Sequence, residues 1–409
     1  MTKAFRPSRR EFTTALIAAG AAGQSLFGAS KIDEALKNGL AKRKIPSCTA
    51  MVATPDGVTY TGAFGKRDSA ASGSLNPDAI FLIASMTKAI TTAAAMQLLE
   101  QGKVSLDEPA SKYLPELAKI QVFTGFDSAG KPMLRPSTKP IALRNLMTHT
   151  SGFCYDTWDK TMFEYTSKMG GAPQGTVAPI TPLMFDPGFR WQYGTGIDWT
   201  GRIVETVSGL SLEDYFQKNL LAPLGMKDTS FILKPEKFDR LVAGATRQPD
   251  GSLKETPRAM PAPPKAYNGG GGLSSTAADY IRFTQMILRK GLGPNKERIL
   301  QPKTVEMMMT NQTGNLQAGK MKSYRPTVSS DVDLHPGESD RYTFGFLLNQ
   351  KAYPGGRSEG SLAWAGIDNT FYWIDPKKSL SAVIMMQFLP FVDKEAVGVL
   401  GEFERAVYA

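Results

Sequence analysis

Two β-rich runs, 48–54 and 58–64, flank Pro55-Asp56-Gly57 near the start of the chain. Extended segments joined by a proline–aspartate–glycine turn predict an antiparallel hairpin. From Ser85 to Leu99 the pattern changes, because strong helix formers run on and are apolar almost all round. That predicts a buried helix, with Gly102 as its stop. The middle of the chain alternates loops and short helices. Gly196 to Ser208 reads as a helix ended by Gly209, and Ser211 caps another that runs to about Leu221, before Pro223. Residues 268–275, with four successive glycines, read as a flexible turn, and a helix from Thr276 to Lys290 follows and stops at Gly291. The last stretch returns to strands at 342–348, 369–374 and 380–386, with Asp375-Pro376-Lys377-Lys378 turning between the final two. A helix at about 393–407 closes the chain.

Strands at both ends and helices between them imply an α+β fold. One antiparallel sheet is built from the N- and C-terminal parts (about 30–80 and 270–409) and flanked by helices. A mainly helical subdomain (about 81–269) is inserted into it. Hydrophobic residues make up 42% and charged residues 21% of the 409, which excludes disorder for the bulk of the chain.

The net charge is +10, and the first 23 residues supply +3 of it (Lys3, Arg6, Arg9 and Arg10 against Glu11). The rest is scattered, with no dense basic run, so the charge favours solubility over a nucleic-acid partner. Ser8-Arg9-Arg10-Glu11-Phe12 followed by a short apolar run to Gly23 reads as a signal peptide within residues 1–29. The paired arginines resemble a bacterial twin-arginine signal, which implies export, to the periplasm. No stretch has the length and apolarity of a transmembrane helix. Cys48 and Cys154 read as two free buried thiols. With only His149 and His335 in the chain, no His-rich metal site is expected, and no motif calls for a cofactor.

Ser85-Met86-Thr87-Lys88 places a hydroxyl and an amine at helical i and i+3, on one face. Thr92 is the other polar residue of that face. A lysine in so apolar a helix is costly without a task or a partner, and partial desolvation would fit it to act as a base. A serine at a helix start keeps its own N–H free to bind an oxyanion. Tyr193-Gly194-Thr195 offers a phenol that could serve as general base beside an ammonium. Trp364-Ala365-Gly366-Ile367, leading into the strand at 369–374, offers a small-residue edge that can approach a substrate, with a second oxyanion N–H at Ile367.

In this order the three elements resemble the serine β-lactamase and penicillin-binding-protein superfamily, with the nearest look to class C β-lactamases and family VIII carboxylesterases. Leu146-Met147-Thr148-His149-Thr150-Ser151-Gly152, Gly270–Thr276 with Asp279-Tyr280, and Pro302–Met308 add to the resemblance. It implies Ser85 as the acylated nucleophile, Lys88 as its proton acceptor and Tyr193 as a proton shuttle. The backbone N–H groups of Ser85 and Ile367 would form the oxyanion hole, and Thr195, Trp364 and Gly366 would border the substrate. The sequence departs from the lactamase pattern at Thr195, where asparagine is usual, and at Trp364, where lysine is usual. Losing that cation removes the partner of a β-lactam carboxylate. The expectation is therefore a carboxylesterase acting on uncharged small-molecule esters through acyl-Ser85, with β-lactamase, D-peptidase, amidase and acyltransferase as alternatives.

Gly356-Arg357-Ser358-Glu359-Gly360 fits G-x-S-x-G, but both histidines precede Ser358, which is the wrong order for that elbow. The four glycines lack the Lys-Ser/Thr of a P-loop. His149, at a helix end, suits a structural hydrogen-bonding role.

Overall fold

The computed structural model describes residues 30–170 and 180–409. The signal-peptide reading of residues 1–29 lies outside the described residues.

The seven-stranded sheet is antiparallel throughout, with strands β1 (Ser47–Ala53), β2 (Val58–Gly65), β3 (Arg341–Tyr342), β4 (Leu347–Leu348), β5 (Leu362–Gly366), β6 (Thr370–Asp375) and β7 (Leu380–Met385). Their order is β2-β1-β7-β6-β5-β4-β3, so the N-terminal hairpin and the C-terminal strands meet at β1 and β7. Side chains alternate across a strand, and this divides the core in two. Met51, Tyr372, Ile374, Val383 and Met385 face one cluster, which also takes in the helices from the middle of the chain. Ala50, Val52, Phe371, Trp373, Ala382 and Ile384 face the other. That second cluster is covered by α1 (residues 30–43) through Leu36 and Leu40, and by the C-terminal helix α5 (Lys394–Tyr408) through Val399 and Phe403. The expected α+β, β-lactamase-like fold is the one observed.

Helix α2 (Thr87–Glu100) is preceded by a tighter turn, Ala84–Met86, that carries Ser85. Every α2 residue from Thr87 to Leu98 is buried, as its all-round apolar pattern predicted. Helix α3 (Gly196–Ser208) crosses it, and Gly209 ends α3 at φ +70°. Helix α4 (Ala277–Leu288) is capped by Thr276, whose hydroxyl accepts from Asp279 N, and packs on β1 and β7.

Four expectations need correction. The run 342–348 is two short strands, because Gly345 turns the chain between them at φ +88°. Residues 268–275 do not remain a turn throughout, since Ser274–Ser275 pairs with Phe81–Leu82. The helix begun at Ser211 continues through a π-turn at Gln217–Leu221 and past Pro223 to Leu224. Trp364-Ala365-Gly366 belongs to a strand of its own, β5, and does not simply lead into the next. In that strand β4 pairs only with Leu362 and Ala363, so the outer edge from Trp364 to Gly366 has no strand partner among the described residues.

Candidate active site

Ser85 and Lys88 meet as their spacing predicted, with Lys88 Nζ 3.2 Å from Ser85 Oγ. Lys88 is fully buried, and its hydrogen-bonding partners beyond Ser85 lie on other elements. Nζ donates to Tyr155 Oη at 3.2 Å and to the Gly270 carbonyl. It also lies 4.9 Å from the Tyr193 ring centroid and 5.3 Å from that of Tyr155, a cation–π setting that offsets desolvation. Behind Tyr155, its Oη donates to the buried Asp198 Oδ2 at 3.5 Å. Thr92, the neighbour expected from the helix face, contributes nothing to Lys88. It packs beneath Gly345, and its hydroxyl is buried without a partner.

Tyr155 is the residue that sequence reasoning missed. It follows the Leu146–Gly152 segment closely, yet nothing separates it from the other twelve of 13 tyrosines. It is placed by long-range packing. The Tyr193-Gly194-Thr195-Gly196 segment threads between two earlier stretches so closely that a Cβ on Gly194 would lie 1.9 Å from Phe153 O, and one on Gly196 2.4 Å from Leu146 O. This brings Tyr155 N to Tyr193 O (3.2 Å) and sets the two rings 5.1 Å apart. Burial, then the Asp198 carboxylate, pushes the Tyr155 phenol well above its ordinary pKa. Asp198 is itself pushed up by burial, against the pull of Lys88.

Two of the four glycines serve this site. A Cβ on Gly270 would stand 2.1 Å from Asp198 Oδ2, and one on Gly269 2.9 Å from Ile197 O. Their absence lets the backbone press against α2 and α3. There the Gly269 carbonyl accepts from Thr91 Oγ1 at 2.6 Å and the Gly270 carbonyl from Lys88.

Tyr193 Oη is held by Trp364 Nε1 at 3.4 Å, and their rings lie 4.9 Å apart. His149 was expected to hydrogen-bond; among the described residues neither ring nitrogen meets a close, well-aligned partner, although the Gly194 backbone lies within reach of the ring. Its imidazole instead packs among Tyr193, Tyr342, Trp191 and Trp364. Burial, then the Lys88 charge, lowers its pKa well below the usual imidazole range, so it is neutral. Neither Cys48 nor Cys154 is disulfide-bonded, and both are buried.

The expected oxyanion pair sits on two elements in contact. Gly366 comes so near the Ser85 turn that a Cβ there would stand 2.4 Å from Ile83 O. Ile367, the next residue, borders the same cavity as Ser85. Among the described residues no backbone hydrogen bond uses the N–H of Ser85 or of Ile367. Gly366 therefore lets strand and turn approach each other and does not itself line the cavity. Thr195 does not line it either, and its hydroxyl is buried and unpartnered. Ser358 lies in a loop, its N–H given to Asp375 Oδ2 at 2.8 Å, and among the described residues no histidine or lysine side chain hydrogen-bonds to it.

The cavity onto which Ser85, Tyr193, Trp364 and Ile367 open has about 150 Å³ of free volume and walls that are mostly apolar. The β-lactamase family model matches residues 32–399. The ML-236A carboxylate methylbutanoyltransferase mlcH of Penicillium citrinum is 30% identical over 93% of this chain and 94% of its own length. The lovastatin esterase of Penicillium rubens is 32% identical over 85% of this chain and 90% of its own. The solved structure of a LovD6 mutant of simvastatin synthase from Aspergillus terreus superposes with a TM-score of 0.80 at 30% identity, covering 93% of this chain and 96% of that one.

Proposed function

Because the chain belongs to the β-lactamase family, we propose that it is a serine acyl-transfer enzyme, moving a small aliphatic acyl group through acyl-Ser85 onto an alcohol acceptor. Hydrolysis of that acyl-enzyme, the outcome the sequence favoured, becomes the competing branch. One relative is a methylbutanoyltransferase and another an esterase, which supports a shared acyl-enzyme with two fates.

The observation that carries the reading is Ser85 Oγ hydrogen-bonded to a fully buried lysine at the head of an apolar cavity. To accept a proton Lys88 must offer a lone pair, which an amine has beside two N–H bonds once it gives up its own extra proton. Tyr155 Oη and the Gly270 carbonyl take the N–H bonds, which leaves the lone pair for the Ser85 hydroxyl. Ser85 Oγ then attacks the acyl carbonyl of an ester or thioester donor as its proton passes to Lys88. The N–H groups of Ser85 and Ile367 hold the developing oxyanion. Tyr193 relays the proton to the leaving oxygen or sulfur as its bond to the carbonyl breaks. The acceptor hydroxyl reverses the sequence, losing its proton to Lys88, forming the new ester and returning the proton to Ser85. Tyr155, kept protonated by burial and by Asp198, positions Lys88 and does not relay.

Lys88, which would take the proton of an acceptor alcohol, would take that of water as well, so the two branches compete for one acyl-enzyme. Product analysis decides between the branches. With p-nitrophenyl butyrate and millimolar alcohol acceptors, the transfer ester should exceed free butyrate, and both should vanish in Ser85→Ala. Butyrate alone, at every acceptor concentration, would leave a carboxylesterase. We further propose export by the twin-arginine route, on the strength of residues 8–23. Arg9→Lys with Arg10→Lys should hold the protein in the cytoplasm, and unchanged secretion would reject that route.

A further inference from the structure

Resting on Ser85 as the acylated nucleophile, we infer that the acyl chain lies in a channel that passes round the free edge of β5 and ends beneath α5. Ala365 and Gly401 set how long that chain can be.

Alternation along β5 gives the course. Tyr372 belongs to the cluster on one face of the sheet and Ala365 with its partner Phe371 to that on the other, whereas Trp364, the cross-strand partner of Tyr372, packs against both. All four line the single cavity that opens at Ser85. A cavity touching both faces of a sheet must go round an edge, and β5 is unpaired outward at Trp364–Gly366. Beyond the edge the walls are Leu400 and Gly401 of α5. We place the far end at Arg357 and Glu404, which also line the cavity, are each 7% exposed and are joined by bonds of 2.9 and 2.6 Å, so their charges are spent on each other.

Several features fit an aliphatic chain. The passage between Ser85 and the ion pair is apolar, and apolar cavities stay dry. Its bend round one strand suits a flexible linear chain better than a fused ring. Its width is kept by small residues: Ala363 and Ala365 stand side by side on the strand, and α5 has glycine at 401. A Cβ on Gly401 would meet only the far end of the Arg405 side chain, at 3.3 Å, so a larger side chain fits there without moving backbone. Ile367, the proposed oxyanion donor, borders the same passage, which puts the ester carbonyl at its mouth, and the proposal places the acyl chain rather than the alcohol within it.

The test is kcat/KM for p-nitrophenyl acetate, butyrate, hexanoate and octanoate, beside a series of alkyl acetates. Each acyl methylene that enters the channel should raise kcat/KM about fourfold until the end wall is reached. Ala365→Leu should lower the hexanoate-to-acetate ratio at least tenfold. Gly401→Leu, a helix substitution with better propensity, should do the same and covers the case in which the buried strand variant does not fold. A flat acyl series, or ratios unmoved in a folded variant, overturns the channel while leaving the nucleophile intact. A rise with alkyl length among the acetates, and none among the acyl chains, overturns it in favour of an alcohol channel. Ester turnover that survives Ser85→Ala overturns both the channel and the reading beneath it.

Discussion

Gly366→Ala tests whether the contact between β5 and the Ser85 turn builds the oxyanion site. Gly366 does not lie in the left-handed region, so the substitution adds a methyl group without backbone strain. That methyl carbon would stand 2.3 Å from Thr370 Oγ1 and 2.4 Å from Ile83 O. The threonine can rotate away. The carbonyl cannot, because it accepts Met86 N–H at 3.0 Å while Ile83 N is bonded to Leu273 O at 3.0 Å. Restoring ordinary contact at about 3.4 Å requires the strand to retreat by about 1 Å. A displacement of that size, or the loss of one oxyanion donor, costs about 10²-fold in rate, on the order of 2.7 kcal/mol. The expected result is a kcat for p-nitrophenyl butyrate down about a hundredfold, slower acylation of Ser85 by intact mass, and a near-ultraviolet dichroism spectrum still native. Adding Thr370→Ala should not rescue it. Activity of Gly366→Ala within threefold of wild type would refute the reasoning, and rescue by Thr370→Ala would move the constraint from Ile83 to the threonine.

Other expectations follow from the same geometry. Tyr155→Phe should lower kcat about tenfold by loosening Lys88, whereas Tyr193→Phe should lower it about 10² to 10⁴-fold by removing the relay; equal losses would abolish the distinction drawn between them. Glu404→Gln leaves the buried Arg357 unpaired and should cost roughly 3–5 kcal/mol in urea unfolding, with a loss under 1 kcal/mol counting against a paired, desolvated end wall. Burial raises Asp279 to about 6, above its ordinary 3.8. A carboxyl raised on folding supports the fold below about pH 4 and loses that support as pH climbs through 6. Asp279→Asn should therefore gain stability relative to wild type between pH 4 and 7.5, by roughly 2–3 kcal/mol, and a pH-independent difference would reject the assignment.

Local rules were enough for the sequence to determine a good deal. The hairpin, the buried helix, α3 with its Gly209 stop and the capped α4 depend on periodicity, propensity and caps within one segment, and each was legible. So was the Ser85–Lys88 pair, because i and i+3 share a face on any helix. Strands at both ends and helices between them likewise carried the α+β layout. What sequence could not supply was anything made by two distant segments. Tyr155 is the second partner of Lys88 only because Gly194 and Gly196 let the 193–196 segment close on residues 146–154. The glycine run looks like a flexible turn in one dimension and is a close-packed carbonyl ligand to Lys88 in three. Thr195 and Gly366, expected at the substrate, are not among the residues that line the cavity. The free edge of β5 depends on β4 being two residues long, and no pattern within β5 records that. Spacing along a chain determines which groups share a face, but the void beside that face, and the groups that cross it, are decided by how the layers pack.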